Sequence, residues 1–262
     1  MKVVILCGGM GTRIRDVSRE VPKPMIPIGT NPILWHIMQS YSHAGYKEFV
    51  LCLGYRSDVV KEFFLNYTTN TRDVTLRLGR NSAVEIVESD QCEAEGWSVT
   101  LSETGLHTMT GGRIRHIERY VASDEYFMLT YGDGVSDVDI GALVKFHKSH
   151  GKLLTVTGVR PPGRFGELSV VNGTEVVAFN EKPQMSGGLI SGGYFVCSRD
   201  VFRYLRDGDE SLVFENAPLS RLAADGEVRV FEHSGFWHPM DTYRDYVYLN
   251  ELWEKGRAPW KP

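Results

Sequence analysis

The chain is poor in residues that staple or anchor a fold. Its four cysteines, Cys7, Cys52, Cys92 and Cys197, form no C-x-x-C pair and stand beside no histidine at metal-ligand spacing. That pattern excludes a structural zinc site and points to a reducing compartment. No apolar run approaches the roughly 20 residues needed to span a bilayer. A single lysine and the short run Val3 to Leu6 precede the first glycines, which does not make a signal peptide. Charge of one sign is not in excess either. The 29 Lys and Arg against 33 Asp and Glu give a formal net charge of -4, so neither nucleic acid nor an anionic membrane is an expected partner. Internal repeats and low-complexity tracts are missing as well. These absences leave a cytoplasmic protein, and 262 residues of ordinary globular composition fit one α/β domain.

The informative stretch is the N-terminus, MKVVILCGGMGTRIRDVSREVPKPM. Val3 to Leu6 is short and apolar, as a buried strand is, and Gly8, Gly9 and Gly11 follow directly. A strand that ends in such a loop offers bare backbone at the strand's carboxyl end, where open α/β sheets bind ligands. Main-chain N–H groups there can approach phosphate oxygens, Arg13 adds a planar charged fork, and Lys23 a mobile ammonium. Two common phosphate loops do not fit. Walker A requires a Lys-Ser/Thr pair where Thr12 and Arg13 stand, and the dinucleotide fingerprint requires glycine where Ile14 stands. A plain strand-to-helix turn with solvated basic residues is the competing reading of the loop.

Along the chain, Pro32 opens a helical pattern (Ile33, Leu34, Ile37, Met38, Tyr41) that Gly45 ends. Phe49 to Leu53 reads as a strand and Arg56 to Leu65 as a helix, so the order begins strand, helix, strand, helix. Residues 66 to 100 break that rhythm with short alternating segments at 74–78, 84–87 and 99–101, read as an excursion from the main sheet. A helix over 114–121, strands over 126–131 and 153–159, and a helix over 140–147 restore it. Strands 168–171 and 176–179 flank Asn172-Gly173, a hairpin signal. Strand 194–197, a helix from Val201, strand 228–231 and a helix over 242–253 complete the chain. The expected fold is α/β: a Rossmann-like, mostly parallel sheet flanked by helices, in one domain over 1–262 with a β-hairpin-rich excursion at 66–113.

Three loops carry further chemistry. Asp133, in Tyr131-Gly-Asp-Gly134, is placed at a strand end to hold Mg²⁺, which takes one or two carboxylates plus phosphate oxygens; the same four residues suit a simple Asp-Gly turn. Asp241, in Gly235-Phe-Trp-His-Pro-Met-Asp241-Thr242, can join that metal or cap the last helix, with Thr242 as the alternative cap. Glu181-Lys182-Pro183 ends a strand, so Lys182 can meet a phosphate and Glu181 sugar hydroxyls, or both can be an exposed turn. Trp237 can stack on a sugar ring or fill the core. His36, His43, His147 and His150 read as structural, and Asp137-Val-Asp139 as the start of a helix rather than a glycosyltransferase Asp-x-Asp.

Taken together, Leu6-Cys-Gly-Gly-Met-Gly-Thr-Arg13, Lys23-Pro-Met25, Tyr131-Gly-Asp-Gly134 and Glu181-Lys-Pro183 resemble the sugar-1-phosphate nucleotidyltransferases. The likeness is greatest to the cytidylyl-transferring members of that family, through Pro32 to Met38, Met109-Thr-Gly-Gly-Arg113, Pro161 to Gly166, Gly235 to Thr242 and Leu252 to Trp260. Cys7 stands where that family has Ala, and His238 where it has Gln.

The resemblance implies transfer of a cytidylyl group from CTP to glucose 1-phosphate with Mg²⁺, supplying CDP-glucose for deoxysugar and surface-polysaccharide synthesis. Leu6, Gly8, Gly9, Met10, Gly11, Thr12 and Arg13 would wrap the triphosphate, with Lys23 on its phosphates. Thr104, Thr108 and Arg113 would select cytosine, and Gly132 would lie against the nucleotide. Asp133 and Asp241 would hold Mg²⁺. Gly166, Glu181, Lys182, Gly193 and Trp237 would receive the sugar phosphate. It also implies a homo-oligomer, of hexameric type. The rivals are the same reaction with UTP, dTTP or another sugar 1-phosphate, and a catalytically silent sugar-nucleotide-binding subunit.

Overall fold

The computed structural model describes the chain except residues 12–13, 15–20, 79–82, 88–95, 162–166, 172–174 and 181–187, and the side chains of 167–171 and 175–180. Seven strands form the main sheet: β1 Val3–Leu6, β2 Glu48–Leu53, β3 Ser98–Glu103, β4 Tyr126–Tyr131, β5 Leu154–Val159, β6 Ile190–Ser198 and β7 Val228–His233. Their spatial order is β7-β5-β6-β4-β1-β2-β3. β1 runs parallel to both β2 and β4, β3 is parallel to β2, and β7 is parallel to β5. Only β6 runs against its neighbours, antiparallel to β4 and β5. The expected mostly parallel sheet is what forms.

Burial explains the apolar runs. Val3, Val4 and Ile5 have no exposed surface, because helices cover both faces of the sheet. One face packs α1 (Ile33–His43), and the other packs α3 (Thr110–His116) with its short continuation Glu118–Val121. Helix α2 is Ser57–Leu65. Helix α4 (Ile140–His150) starts on Asp139, whose carboxylate accepts from Ala142 N at 2.8 Å, so this Asp is a cap as expected. Helix α5 (Ala217–Ala224) went unforeseen. Pro218 lies in its first turn, where a missing N–H costs nothing. The helix expected from Val201 is instead a 3₁₀ segment, Arg199–Tyr204. The chain closes with α6, Tyr243–Glu254.

The excursion divides in two. Val74–Arg77 and Ala83–Ile86 pair antiparallel as an isolated hairpin, with Val74, Leu76, Val84 and Ile86 exposed. Segment 99–101, expected to lie outside the main sheet, belongs to its edge strand β3. The polar residues Ser98, Thr100 and Ser102 hide that membership in the sequence, and an edge strand tolerates them.

Of the four helical histidines, His36, His147 and His150 are held by contacts within the fold, and His43 is a surface residue. His36 contacts Ile28 O at 2.9 Å. His147 Nδ1 and His150 Nε2 both meet the Thr155 hydroxyl, at 2.8 and 2.7 Å. His150 Nδ1 accepts from Lys152 N, so His150 donates from Nε2 and the Thr155 O–H must donate to His147. His147 is thereby held neutral. Burial, then His150 and Lys148, depress its pKa from 6.5 to about 4. A histidine depressed in the folded state takes up fewer protons than the unfolded chain as pH falls, so stability should drop between pH 6.5 and about 4. Thermal melts across that window should show the decline, and His147→Gln should flatten it. An unchanged profile would remove His147 as its source.

Candidate active site

The carboxyl ends of β1 and β4 open into a cavity of about 340 Å³, whose wall includes Gly8, Gly9, Lys23, Thr108, Arg113 and Asp133. Gly132 N donates to Leu6 O at 3.1 Å, which ties the β4 loop to the β1 loop. Of the nucleotide-site residues expected from sequence, Leu6, Gly8, Gly9, Gly11, Lys23, Thr108, Arg113 and Gly132 line this cavity. Met10 does not; it is an exposed loop residue. Thr12, Arg13, Gly166, Glu181 and Lys182 lie outside the described residues.

Asp133 and Asp241 come together. A three-residue strand, Gly134–Ser136, pairs with Trp237–Pro239, and Met240 N donates to Asp133 O at 2.8 Å. The two acids therefore sit at neighbouring ends of one small ladder. Between them lies the Lys23 ammonium, 2.6 Å from Asp133 Oδ2 and 2.6 Å from Asp241 Oδ1. Burial alone would lower the Lys23 pKa, but the two carboxylates outweigh it and raise it. Lys23, expected on the phosphates, thus also neutralises the acids. A pair of hard carboxylate oxygens already converging on one cation is a donor set that suits Mg²⁺ bound jointly with phosphates. Among the described residues no group of three or more His, Cys, Asp or Glu forms a cage that could hold a metal by itself.

Asp241 is not the cap of α6. Thr242 is, accepting from Asp245 N, while Asp245 Oδ2 accepts from Thr242 N at 2.8 Å in a capping box. That Thr-x-x-Asp spacing was the sequence signal that separates the two readings.

Arg113 is deeply set. Its guanidinium donates to Leu53 O, Thr104 Oγ1, Gly8 O and Leu106 O. A Cβ on Gly8 or Gly54 would overlap it. The first glycine of the loop is therefore required by Arg113 rather than by a phosphate. Thr104 is fully committed as well, donating to Leu53 O at 2.6 Å and accepting from Arg113, so it builds the floor behind the cavity. Burial lowers the Arg113 pKa, and no carboxylate among the described residues pairs with it. The loop thus rests on a buried cation held only by neutral acceptors. Thr108 lines the cavity, and its Oγ1 is buried with no hydrogen-bond partner among the described residues.

A smaller hollow adjoins the first, lined by Ser191, Gly192, Gly193, Trp237, Tyr131 and Asp133 among others. The Trp237 indole donates to Gly192 O at 2.7 Å and so joins β6 to the short strand that precedes Asp241. Residues that sequence reasoning missed are Tyr131 and Glu215. Tyr131 lines both hollows and donates to Glu215, which also accepts from Thr110 at 2.6 Å. The glycine-flanked Asp133 drew attention past its neighbour.

A family profile for nucleotidyl transferases matches residues 2–255. The chain belongs to that family. It is 49% identical over 261 residues to a glucose-1-phosphate cytidylyltransferase of Salmonella typhi, covering 100% of this chain and 99% of that one. To a probable glucose-1-phosphate cytidylyltransferase of Bacillus subtilis it is 44% identical over 262 residues, with the same coverage. The fold is also that of HddC from Yersinia pseudotuberculosis, with a TM-score of 0.67 at 22% identity over 96% of this chain and 99% of that one. No helix of the described residues in this nucleotidyl transferase is long and apolar enough to cross a membrane.

Proposed function

We propose that this chain transfers a cytidylyl group from CTP to α-D-glucose 1-phosphate, forming CDP-glucose and releasing pyrophosphate. The observation that carries the reading is the meeting of Asp133, Asp241 and Lys23 beside the β1 glycine loop. The full-length likeness to cytidylyltransferases supports the choice of nucleotide and sugar.

The chemistry needs no activated Ser or His. A sugar-phosphate oxygen is already ionised near neutral pH and attacks the α-phosphorus in line. Catalysis then rests on positioning two anions and neutralising charge. The glycine loop over Arg113 gives the triphosphate a positively biased floor, and Thr108 in the cavity wall is assigned to the base. Asp133 and Asp241 would hold Mg²⁺, which supplies Lewis-acid polarisation of the phosphate when bound. Lys23 can then turn from the acids to the phosphates. Arg13 is assigned to the departing pyrophosphate, and Gly166, Glu181 and Lys182 to the sugar phosphate with Gly193 and Trp237.

Residues 66–113 are assigned the choice of base within a single domain over 1–262. The exposed aliphatic face of hairpin 74–86 suits burial in a homo-oligomer, for which a hexamer is proposed. A cytoplasmic enzyme supplying activated sugar for surface polysaccharide completes the reading.

A pyrophosphate-release assay crossing four nucleoside triphosphates with several sugar 1-phosphates tests it. CTP with glucose 1-phosphate and Mg²⁺ should give the highest kcat/KM. Turnover with dTTP or UTP and none with CTP would overturn the nucleotide while leaving the reaction class.

A further inference from the structure

Tyr131 and Asp133 line both hollows of the cleft, and Tyr131 has no role in the reading above. Its ring is fixed from three sides. The hydroxyl donates to the Glu215 carboxylate, which Thr110 also holds. Phe195 meets the ring edge-on at 6.1 Å between centroids. The third contact is Gly193, at φ +76, where a Cβ would come to 2.5 Å from Tyr131 Cδ2. A left-handed glycine on β6 therefore makes room for this ring where the nucleotide cavity and the second hollow adjoin.

We infer that Tyr131, pinned by Glu215, is the positioning residue that walls the nucleotide hollow from the sugar-phosphate hollow and so limits the bulk of the sugar accepted. The inference rests on the proposed function for the identity of the two substrates. A fixed ring at the boundary keeps the sugar phosphate from sliding toward the nucleotide cavity, and a displacement of about 1 Å at a reacting centre can cost roughly 100-fold in rate. Burial, then Glu215, raises the Tyr131 pKa, so the phenol keeps the proton it donates.

The test measures kcat and KM for glucose 1-phosphate and for the bulkier N-acetylglucosamine 1-phosphate, at saturating levels of whichever nucleotide the wild type prefers. Tyr131→Ala should raise KM for glucose 1-phosphate roughly 10- to 100-fold and shift the kcat/KM ratio toward the bulkier sugar. KM for the nucleotide should change little. Tyr131→Phe keeps the wall but loses the tether, so kcat should fall while sugar preference holds. Gly193→Ala should be damaging in the wild type and partly relieved beside Tyr131→Ala, because the ring it strikes is gone while the strain of φ +76 remains. Equal proportional losses for both sugars, or additive Gly193 and Tyr131 effects, would overturn the inference. If Tyr131→Ala does not fold, Tyr131→Leu gives the same readout. A wild type that turns over glucose 1-phosphate with another nucleotide and not with CTP would overturn the proposed nucleotide instead, and the sugar-size ratio would still decide the role of Tyr131.

Discussion

Asp133→Asn and Asp241→Asn should each lower kcat/KM by about a thousandfold at saturating Mg²⁺, and the double variant should be scarcely worse. The size follows from the several kcal/mol that a bound metal contributes to phosphoryl-group polarisation, at about 1.4 kcal/mol per decade. The lack of additivity follows from geometry. One carboxylate cannot do half of a shared task, and groups that act as a unit lose their effect together. Folding should survive in both single variants. Lys23 keeps one partner in each single variant, and α6 is capped by Thr242 and Asp245. Thermal melts alongside the kinetics would separate the two effects. Near-wild-type activity for Asp241→Asn would leave Asp133 as the sole acid of the site.

Arg113→Met should give a large stability loss for a change near the cavity, about 2–3 kcal/mol. It removes one charge-assisted donor from each of Leu53 O, Gly8 O and Thr104 Oγ1, although Leu53 O keeps Thr104 and Gly8 O keeps Tyr55 N as donors. KM for the nucleotide should rise as well, since the positive floor under the glycine loop is lost. Arg113→Lys should not rescue, because one ammonium cannot reproduce a planar fork reaching both Leu53 O and Gly8 O. Gly8→Ala evicts the same guanidinium, so its cost and that of Arg113→Met should not add. Urea melts of the three single variants and the Gly8/Arg113 double variant measure this. A loss under about 1 kcal/mol for Arg113→Met would show that the guanidinium bonds do not hold the loop.

What could be read from the sequence, and what could not, divides along physical lines. β1 and β4 were legible because strands buried on both faces are continuous apolar runs, and each ends in glycines that mark a sheet edge. The acids that follow were therefore placeable on the correct side of the sheet. β3 was misplaced because an edge strand keeps polar residues, and α5 was missed because a first-turn Pro218 looks like a breaker. The seat of Arg113 was not legible at all. It depends on Gly8 and Gly54 approaching from positions 105 and 59 residues away, a closeness that no local pattern records. Glu215 was hidden for the same reason, since its partners Tyr131 and Thr110 belong to other elements.

The small ladder that joins Asp133 to Asp241 also sets the order in which the enzyme can become one. Residues 3–131 supply β1 to β4 with the glycine loop, Lys23 and Arg113, nearly the whole nucleotide wall. The second acid arrives only with residue 241 of 262, just after the strand Trp237–Pro239 that has to dock against Gly134–Ser136. A nascent chain on the ribosome would thus present the wall well before it presents the acid pair. Competence to turn substrate over would therefore wait for residue 241.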